Sequence, residues 1–433
     1  MNALPAKAPR TVFGLAISAW LLAGSSVSAG ITYKLTVRAG EHDRAEVPVC
    51  VVLTEQEQQA NLDPKRLAEA RSVKLTDAEG NELPAQLAAP GLTNASLDRP
   101  GLVARELHFI VPKLAKGQSL QLVAALSDAR PAPQGFAWKH LEDDCAELTC
   151  DGRPVLRYMG RPLDDSSPEA RQETYKVYHH LYDPAGTRWV TKGPGGKYPH
   201  HRGLFYGFNR VSYGEVPRVD LWGCRDAHQS HEGFLAEEAG PVMGRHAVRV
   251  DWHGPGDAVF ATEKREMTVY AVPGGQLVEF ASVLSSRVGK VKLDGDPQHA
   301  GFQFRAAQEV ADGDQKRTYY LRPDGKGEPG ETRNWSAKDP RPDCVNLPWN
   351  AMSFVVDGRR YTAVYLDQPG NPRETRYSER TYGRFGAYFE YELDEGRDLE
   401  VNYRVWLQDG EMTVDEAAAL SADFAEPVQV AVD

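Results

Sequence analysis

The chain reads as mainly β, a large antiparallel β super-sandwich with a smaller N-terminal β-sandwich ahead of it. Three observations predict this. Apolar and polar residues alternate with period two over long stretches, turn signals punctuate those stretches, and helical periodicity is confined to two short segments. Across Leu399-Glu400-Val401-Asn402-Tyr403-Arg404-Val405-Trp406-Leu407 the odd positions are all apolar and the even ones mostly polar, so a strand there turns one face to a core.

At the N-terminus Lys7 and Arg10 precede the apolar run Val12 to Ala23, and small residues end at Val27-Ser28-Ala29. This is the layout of a cleavable secretory signal, residues 1–29. The apolar run is shorter than the roughly 20 residues that span a bilayer, and no later segment is apolar enough to try. The expectation is an exported protein, periplasmic or extracellular, with no membrane span after signal cleavage. Removing Lys7 and Arg10 with no acidic residue takes the formal charge from −11 to −13, which argues against nucleic acid as a partner.

Residues 30–127 are expected to form the small β-sandwich, with a helix over Asp63 to Ala70 and a strand over Leu120 to Ala125. The run Ser127 to Gly135 (SDARPAPQG) is rich in proline and small residues and lacks an apolar pattern, so 128–135 reads as a linker. Residues 136–433 then form the large super-sandwich. Its strand candidates are Glu266 to Val272, Leu277 to Leu284, Tyr361 to Asp367 and the segment at 399–407. Turns are signalled at Asp151-Gly152, Pro273-Gly274-Gly275, Asp357-Gly358 and Pro369-Gly370-Asn371-Pro372. A last helix is expected over Thr413 to Ala422, with Thr413 as N-cap and Glu416 at the capping-box position. No fixed-period repeat is visible, which weighs against a propeller.

Five cysteines (Cys50, Cys145, Cys150, Cys224, Cys344) are too few for a disulfide scaffold and odd in number, so at most two bridges form. Cys145 and Cys150 are the obvious pair, yet their spacing places them on opposite faces of one strand, and a bridge there needs a turn. No second cysteine pair completes a zinc site.

Four segments carry candidate chemistry. In Tyr198-Pro199-His200-His201-Arg202-Gly203 two imidazoles and a guanidinium stand before the aromatic run Leu204 to Phe208. Imidazole titrates near neutrality and is the commonest neutral metal ligand, so His200, His201 and Arg202 are catalytic candidates. On a strand only one of the two histidines faces a given site, and His201 is preferred. Asp220-Leu221-Trp222-Gly223 pairs a carboxylate with an indole, a platform for a sugar ring if exposed, and His231 follows in a histidine segment as the third catalytic imidazole. In His299-Ala300-Gly301-Phe302-Gln303-Phe304-Arg305 the positions 299, 301, 303 and 305 share a polar face that suits a solvated cleft. Arg305 is a catalytic candidate there and His299 a substrate-binding one. Asn371, Arg373 and Tyr382 complete the substrate-binding set with Asp220 and Trp222.

The motifs PHHRGLFYGF, DLWG with its histidine segment, HAGFQFRA and DQPGNPRETRYSERTYGRFGAYF resemble the PmoA-like family of exported bacterial proteins, whose name is methane oxygenase PmoA, over roughly residues 150 to 410. By analogy the large domain resembles the super-sandwich of galactose mutarotases and polysaccharide lyases, where histidines and a carboxylate on a concave sheet act on sugars. The resemblance implies a carbohydrate-active protein.

The function expected is therefore an enzyme, a lyase, epimerase or hydrolase, that works on a sugar or uronate by histidine acid–base chemistry, with Glu263 or Asp220 as carboxylate partner. Its substrate is a carbohydrate or other small polar molecule. A second expectation is a divalent metal held by His200, His201 and His231 with Glu263, the one cofactor these residue types leave open. A third is a non-catalytic glycan-binding protein that stacks sugars on its eight tryptophans.

Overall fold

The computed structural model describes residues 31–56, 64–97 and 99–432. The expected signal peptide lies outside them, as does Asp63. The architecture is mainly β, and all strand pairs in the two large sheets are antiparallel.

An eight-stranded sheet runs in the order Arg376–Arg380, Arg384–Tyr388, Ala300–Arg305, Leu204–Phe208, Tyr178–Leu181, Arg153–Met159, Ala146–Cys150 and Phe136–His140. A nine-stranded sheet runs His228–Ala239, Met243–His253, Val259–Tyr270, Gln276–Ser286, Asp398–Asp409, Arg359–Asp367, Trp349–Val356, Tyr319–Arg322 and Gly325–Lys326. They pack face to face. Phe302 of the first stacks on Phe280 of the second at 4.3 Å between centroids, and one core takes buried residues from both. The alternation at 399–407 is used as its spacing predicts, since Leu399, Val401, Tyr403, Val405 and Leu407 all enter that core.

The outer face of the nine-stranded sheet is covered as well. The helix Val414–Ala425 lays Ala417 and Phe424 against Trp406, Leu277 and Tyr270, and its start carries the expected capping box between Thr413 and Glu416. A helix Pro64–Glu69 is the other expected one, and Pro168–Thr174 is a third that the alternation did not reveal.

The N-terminal strands form a five-stranded sheet, Gln429–Val432, Thr32–Arg38, Ser119–Ser127, Ser72–Asp77 and Glu82–Leu83, facing a three-stranded sheet, Arg44–Gln56, Leu102–Leu114 and Ala85–Ala88. Leu35, Val37, Val51, Leu75, Leu107, Phe109 and Leu122 share the core between them. The C-terminal strand Gln429–Val432 thus returns to the N-terminal sheet. Residues 128–135 carry neither helix nor strand.

The five cysteines are all free, and Cys145 and Cys150 both lie along one strand region with no turn between Ala146 and Cys150. No helix among the described residues is long and apolar enough to cross a membrane.

Candidate functional site

The strand after the histidine pair begins only at Leu204. His200 and His201 stand in the loop before it, so strand alternation does not separate them. Gly203 sets that loop's course. A Cβ there would come 2.3 Å from the carbonyl oxygen of His179, so only glycine lets the loop lie against the neighbouring strand. Backbone bonds from Gly203 N–H to Lys192 O and from Arg305 N–H to Gly203 O fix both its sides.

The loop then folds back along the sheet towards the start of Ala300–Arg305, and three imidazoles meet. Ring centroids lie 4.4 Å apart for His200 and His201, 5.3 Å for His200 and His299, and 5.3 Å for His201 and His299. One nitrogen from each lies within 4.8 Å of the other two. His299 Nδ1 is 2.9 Å from the Asp296 carboxylate. The Trp222 indole N–H donates to His201 Nδ1 at 3.3 Å. Both anchors use Nδ1, with opposite roles: His299 donates to Asp296 and keeps a lone pair on Nε2, whereas neutral His201 accepts from Trp222 and carries its proton on Nε2, so a ligand role for that nitrogen would require a change of tautomer that gives up the Trp222 bond.

Electrostatics keep His200 and His201 neutral. Burial pushes the His200 pKa down to about 3, and the charges of Lys176, His299 and Arg202 add to it. Burial with His200 and Arg384 takes His201 well below the usual imidazole value. Burial alone would raise Asp296, but its bond and charge contact with His299 hold it below the usual carboxylate range. Burial brings Lys176 and Lys192 each down to about 7. Lys176, Lys192, Arg202, Arg305 and Arg384 are all buried, and none pairs with a carboxylate among the described residues.

Several expected site residues serve other purposes. Trp222 is buried, not a sugar platform; its ring packs on Phe205 and its N–H seats His201. Asp220 accepts from the backbone N–H groups of Trp222 and Gly223 and so shapes that turn. Arg202 donates to the carbonyls of Pro199, His201 and Gln172, and Arg305 to those of Ala306 and Tyr382, so both hold loops. The face carrying Gln303 and Arg305 is not a solvated cleft, because both side chains are bonded under the segments at 297–300 and 382–384. Tyr382 does reach the centre, 6.0 Å from the His201 ring and stacked on Tyr198 at 4.2 Å.

His231 lies apart from the three imidazoles, on the edge strand His228–Ala239, with its Nδ1 2.7 Å from the Tyr158 hydroxyl. Glu263 is fully buried, bonded to Arg265 and the Trp252 indole, and does not stand among the ligand atoms that cluster at the three imidazoles. Removing either member of that pair would cost about 3–5 kcal/mol by stranding the other charge. Asn371 bonds Asp367 and the backbone of Asn402, and Arg373 pairs with Asp367, so both close a turn. The sequence reading missed Asp296, Lys176 and Lys192. A lone charged residue carries no signal until a fold encloses it.

The family model of DUF6807, described as a family of unknown function, matches residues 145–422. No curated protein matches the chain. Among solved structures, an alpha-mannosidase from Enterococcus faecalis V583 is similar at 8% identity with a TM-score of 0.42, over 93% of this chain and 46% of that one. A protein in glycosyl hydrolase family 38 from Enterococcus faecalis is similar at 8% identity and a TM-score of 0.42, over 93% of this chain and 47% of that one. The chain spans about half the length of these solved chains.

Proposed function

The chain belongs to the DUF6807 family, whose function is unknown, and we propose that it is an exported enzyme acting on a sugar or uronate at His200, His201 and His299, with a divalent transition metal held by the three imidazoles. One observation carries this reading: three ring nitrogens within 4.8 Å of one another, two of them on rings, His200 and His201, that burial keeps unprotonated. A histidine with a pKa of about 3 has no proton to donate at neutral pH, so His200 is a poor general acid and a ready ligand. The carboxylate of Asp296 behind His299 fixes the tautomer and strengthens the donor, an arrangement common around metal-bound imidazole.

A bound divalent ion would polarise a substrate oxygen or acidify a water. The chain's own residues supply the rest. Trp222 and Asp296 orient two rings, Tyr198 and Tyr382 form an aromatic wall, and three buried guanidiniums without acidic partners, Arg202, Arg305 and Arg384, joined near neutral pH by the half-protonated Lys176 and Lys192, favour a substrate that brings a negative charge. That favours a uronate over a neutral sugar.

Elemental analysis after dialysis against zinc, manganese, nickel and copper salts tests the reading. The wild-type chain is expected to retain a metal equivalent that His201→Ala and His299→Ala lose, with Asp296→Asn weakening affinity about 10–100-fold. Turnover of a pool of uronates and oligosaccharides should disappear with that equivalent. Metal content unchanged by the double histidine variant would overturn the assignment.

A further inference from the structure

A second cluster of ligand-type side chains lies far along the sequence from the three histidines. Cys50 and His108 are direct cross-strand partners on Arg44–Gln56 and Leu102–Leu114, and Glu106, two residues before His108, shares the same face. The alternate residues Val49, Val51, Leu107 and Phe109 fill the N-terminal core. The face with Cys50, Glu106 and His108 is therefore turned towards the nine-stranded sheet, where Arg245 reaches Glu106 at 2.6 Å and the Tyr270 hydroxyl reaches His108 at 3.5 Å. Thiol sulfur, imidazole nitrogen and carboxylate oxygen lie within 4.8 Å of one another.

We propose that Cys50, Glu106 and His108 form a second metal site, for zinc or a similar borderline divalent cation, at the junction between the N-terminal sheets and the large sandwich. Cysteine thiolate, imidazole and carboxylate are the three donor types zinc takes, and three protein ligands leave one position for a further donor. The proposal does not depend on the function assigned to His200, His201 and His299.

Charge points the same way. The carboxylates of Glu106, Glu279 and Glu266 act on the thiol, and Glu238 joins them through Arg245. Against these four stand two guanidiniums, Arg245 and Arg404, the latter 2.7 Å from Glu279. With Glu266 half-protonated near pH 7, the acid excess at the junction is between one and two charges, which a divalent cation would neutralise. Burial opposes ionisation at the junction. Burial raises Glu266 to about 7, with Glu106 and Glu279 adding to the rise, and burial raises Cys50 well above the ordinary thiol value. Cys50 itself is exposed, open to a small ion from solvent.

The supporting bonds are in place. The backbone N–H of Gly91 and the side-chain amide of Asn94 donate to Glu106 Oε1, while Oε2 faces His108 Nε2 at 3.0 Å. A cation would take the place of the proton shared between Oε2 and Nε2 and would displace the Arg245 guanidinium from Oε2, while the Gly91 and Asn94 contacts on Oε1 would keep the carboxylate aimed. Binding releases the Cys50 proton to solvent, so uptake weakens as pH falls.

Zinc titration of the intact chain, followed by alkylation of cysteines and by elemental analysis, tests this. Cys50 is the exposed cysteine and the other four are buried, so it should be alkylated first in the metal-free protein and be protected by zinc. Cys50→Ser should lose one zinc equivalent, and His108→Gln should lose the same one. The variant His201→Ala/His299→Ala should keep it, which separates this site from the other centre. Should His108→Gln fold poorly, Cys50→Ser at its exposed position still gives the answer. Alkylation of Cys50 at the same rate with and without zinc, or an unchanged zinc content in Cys50→Ser, would overturn the proposal.

Discussion

At the scale of single residues, Lys176 shows how far burial reshapes the chemistry around the three imidazoles. Its ammonium lies 4.4 Å from the centroid of Phe205 and 5.2 Å from that of Trp222, and it donates to the carbonyls of His200 and Trp222. Those bonds tie the histidine loop to the Trp222 turn. They do not replace the water it has lost, and burial lowers its pKa from 10.5 to about 7. The sign of the linkage follows. Between pH 7 and about 10.4 the unfolded chain holds a proton on this group that the native chain does not, so the lysine makes stability rise with pH across that window. In Lys176→Met the rise should shrink by an amount on the order of 4 kcal/mol over the whole window, since each pKa unit is worth about 1.4 kcal/mol. Urea unfolding of both proteins at pH 7, 8.5 and 10 measures it. The lost hydrogen bonds would shift the variant equally at every pH, so a parallel pair of curves would refute the linkage.

At the scale of elements, the strands were legible and the loops were not. Alternation at 399–407 and the capping box at Thr413 and Glu416 predict local structure because the cause is local: a half-buried strand needs period two, and a helix start needs acceptors for free N–H groups. His200, His201 and His299 were each visible as candidates. Their convergence was not, because it depends on a loop folding back over the sheet, held by contacts such as Gly203 against His179 O that join distant parts of the chain. The same blindness made Trp222 ambiguous and sent Asn371 and Arg373, which close a turn on Asp367, to the wrong site. Gly301 shows what the loop-to-strand junction demands. It has φ of +77° two residues after His299, and a Cβ there would lie 2.1 Å from the carbonyl oxygen of Ala387 on the paired strand. Gly301→Ala should therefore cost about 2–4 kcal/mol through strain and overpacking together. It should also displace His299 and lower metal retention at the three-histidine centre. Thermal unfolding and metal content of the same preparation check both. A variant of wild-type stability would show that the junction relaxes without loss.

At the scale of the whole molecule, the first and the last described strands meet in one sheet. Gln429–Val432 pairs with Thr32–Arg38 in the register Leu35 with Val432 to Arg38 with Gln429, and Val428 and Val430 pack on the N-terminal core. Nearby, Arg44 pairs with Asp423 at 2.7 Å and also donates to the Glu426 carbonyl, so the last helix is tied to the N-terminal strands. A long polar junction completes the link, with Glu106 and Glu238 both on Arg245. A chain closed in this way should unfold as one unit, since the N-terminal sheets cannot open without losing the last strand and the junction together. Ending the chain at Glu426 removes the edge strand but leaves the Arg44 contacts, the junction and the large core intact. Four strand residues with their hydrogen bonds and two apolar contacts are worth about 2–4 kcal/mol, all of it taken from the N-terminal sheets. Those sheets should then melt first. Tryptophan makes the two parts separately visible: apart from Trp20, every tryptophan lies at position 138 or beyond, in the large sandwich and its loops. In the shortened chain the loss of β signal by circular dichroism should begin at lower urea than the change in tryptophan fluorescence, whereas in the full chain the two curves should coincide. Metal at His200, His201 and His299 should survive the first step, because the strands that carry that centre belong to the eight-stranded sheet of the large sandwich. Coincident curves in the shortened chain would mean that the junction at Arg245 alone couples the two parts.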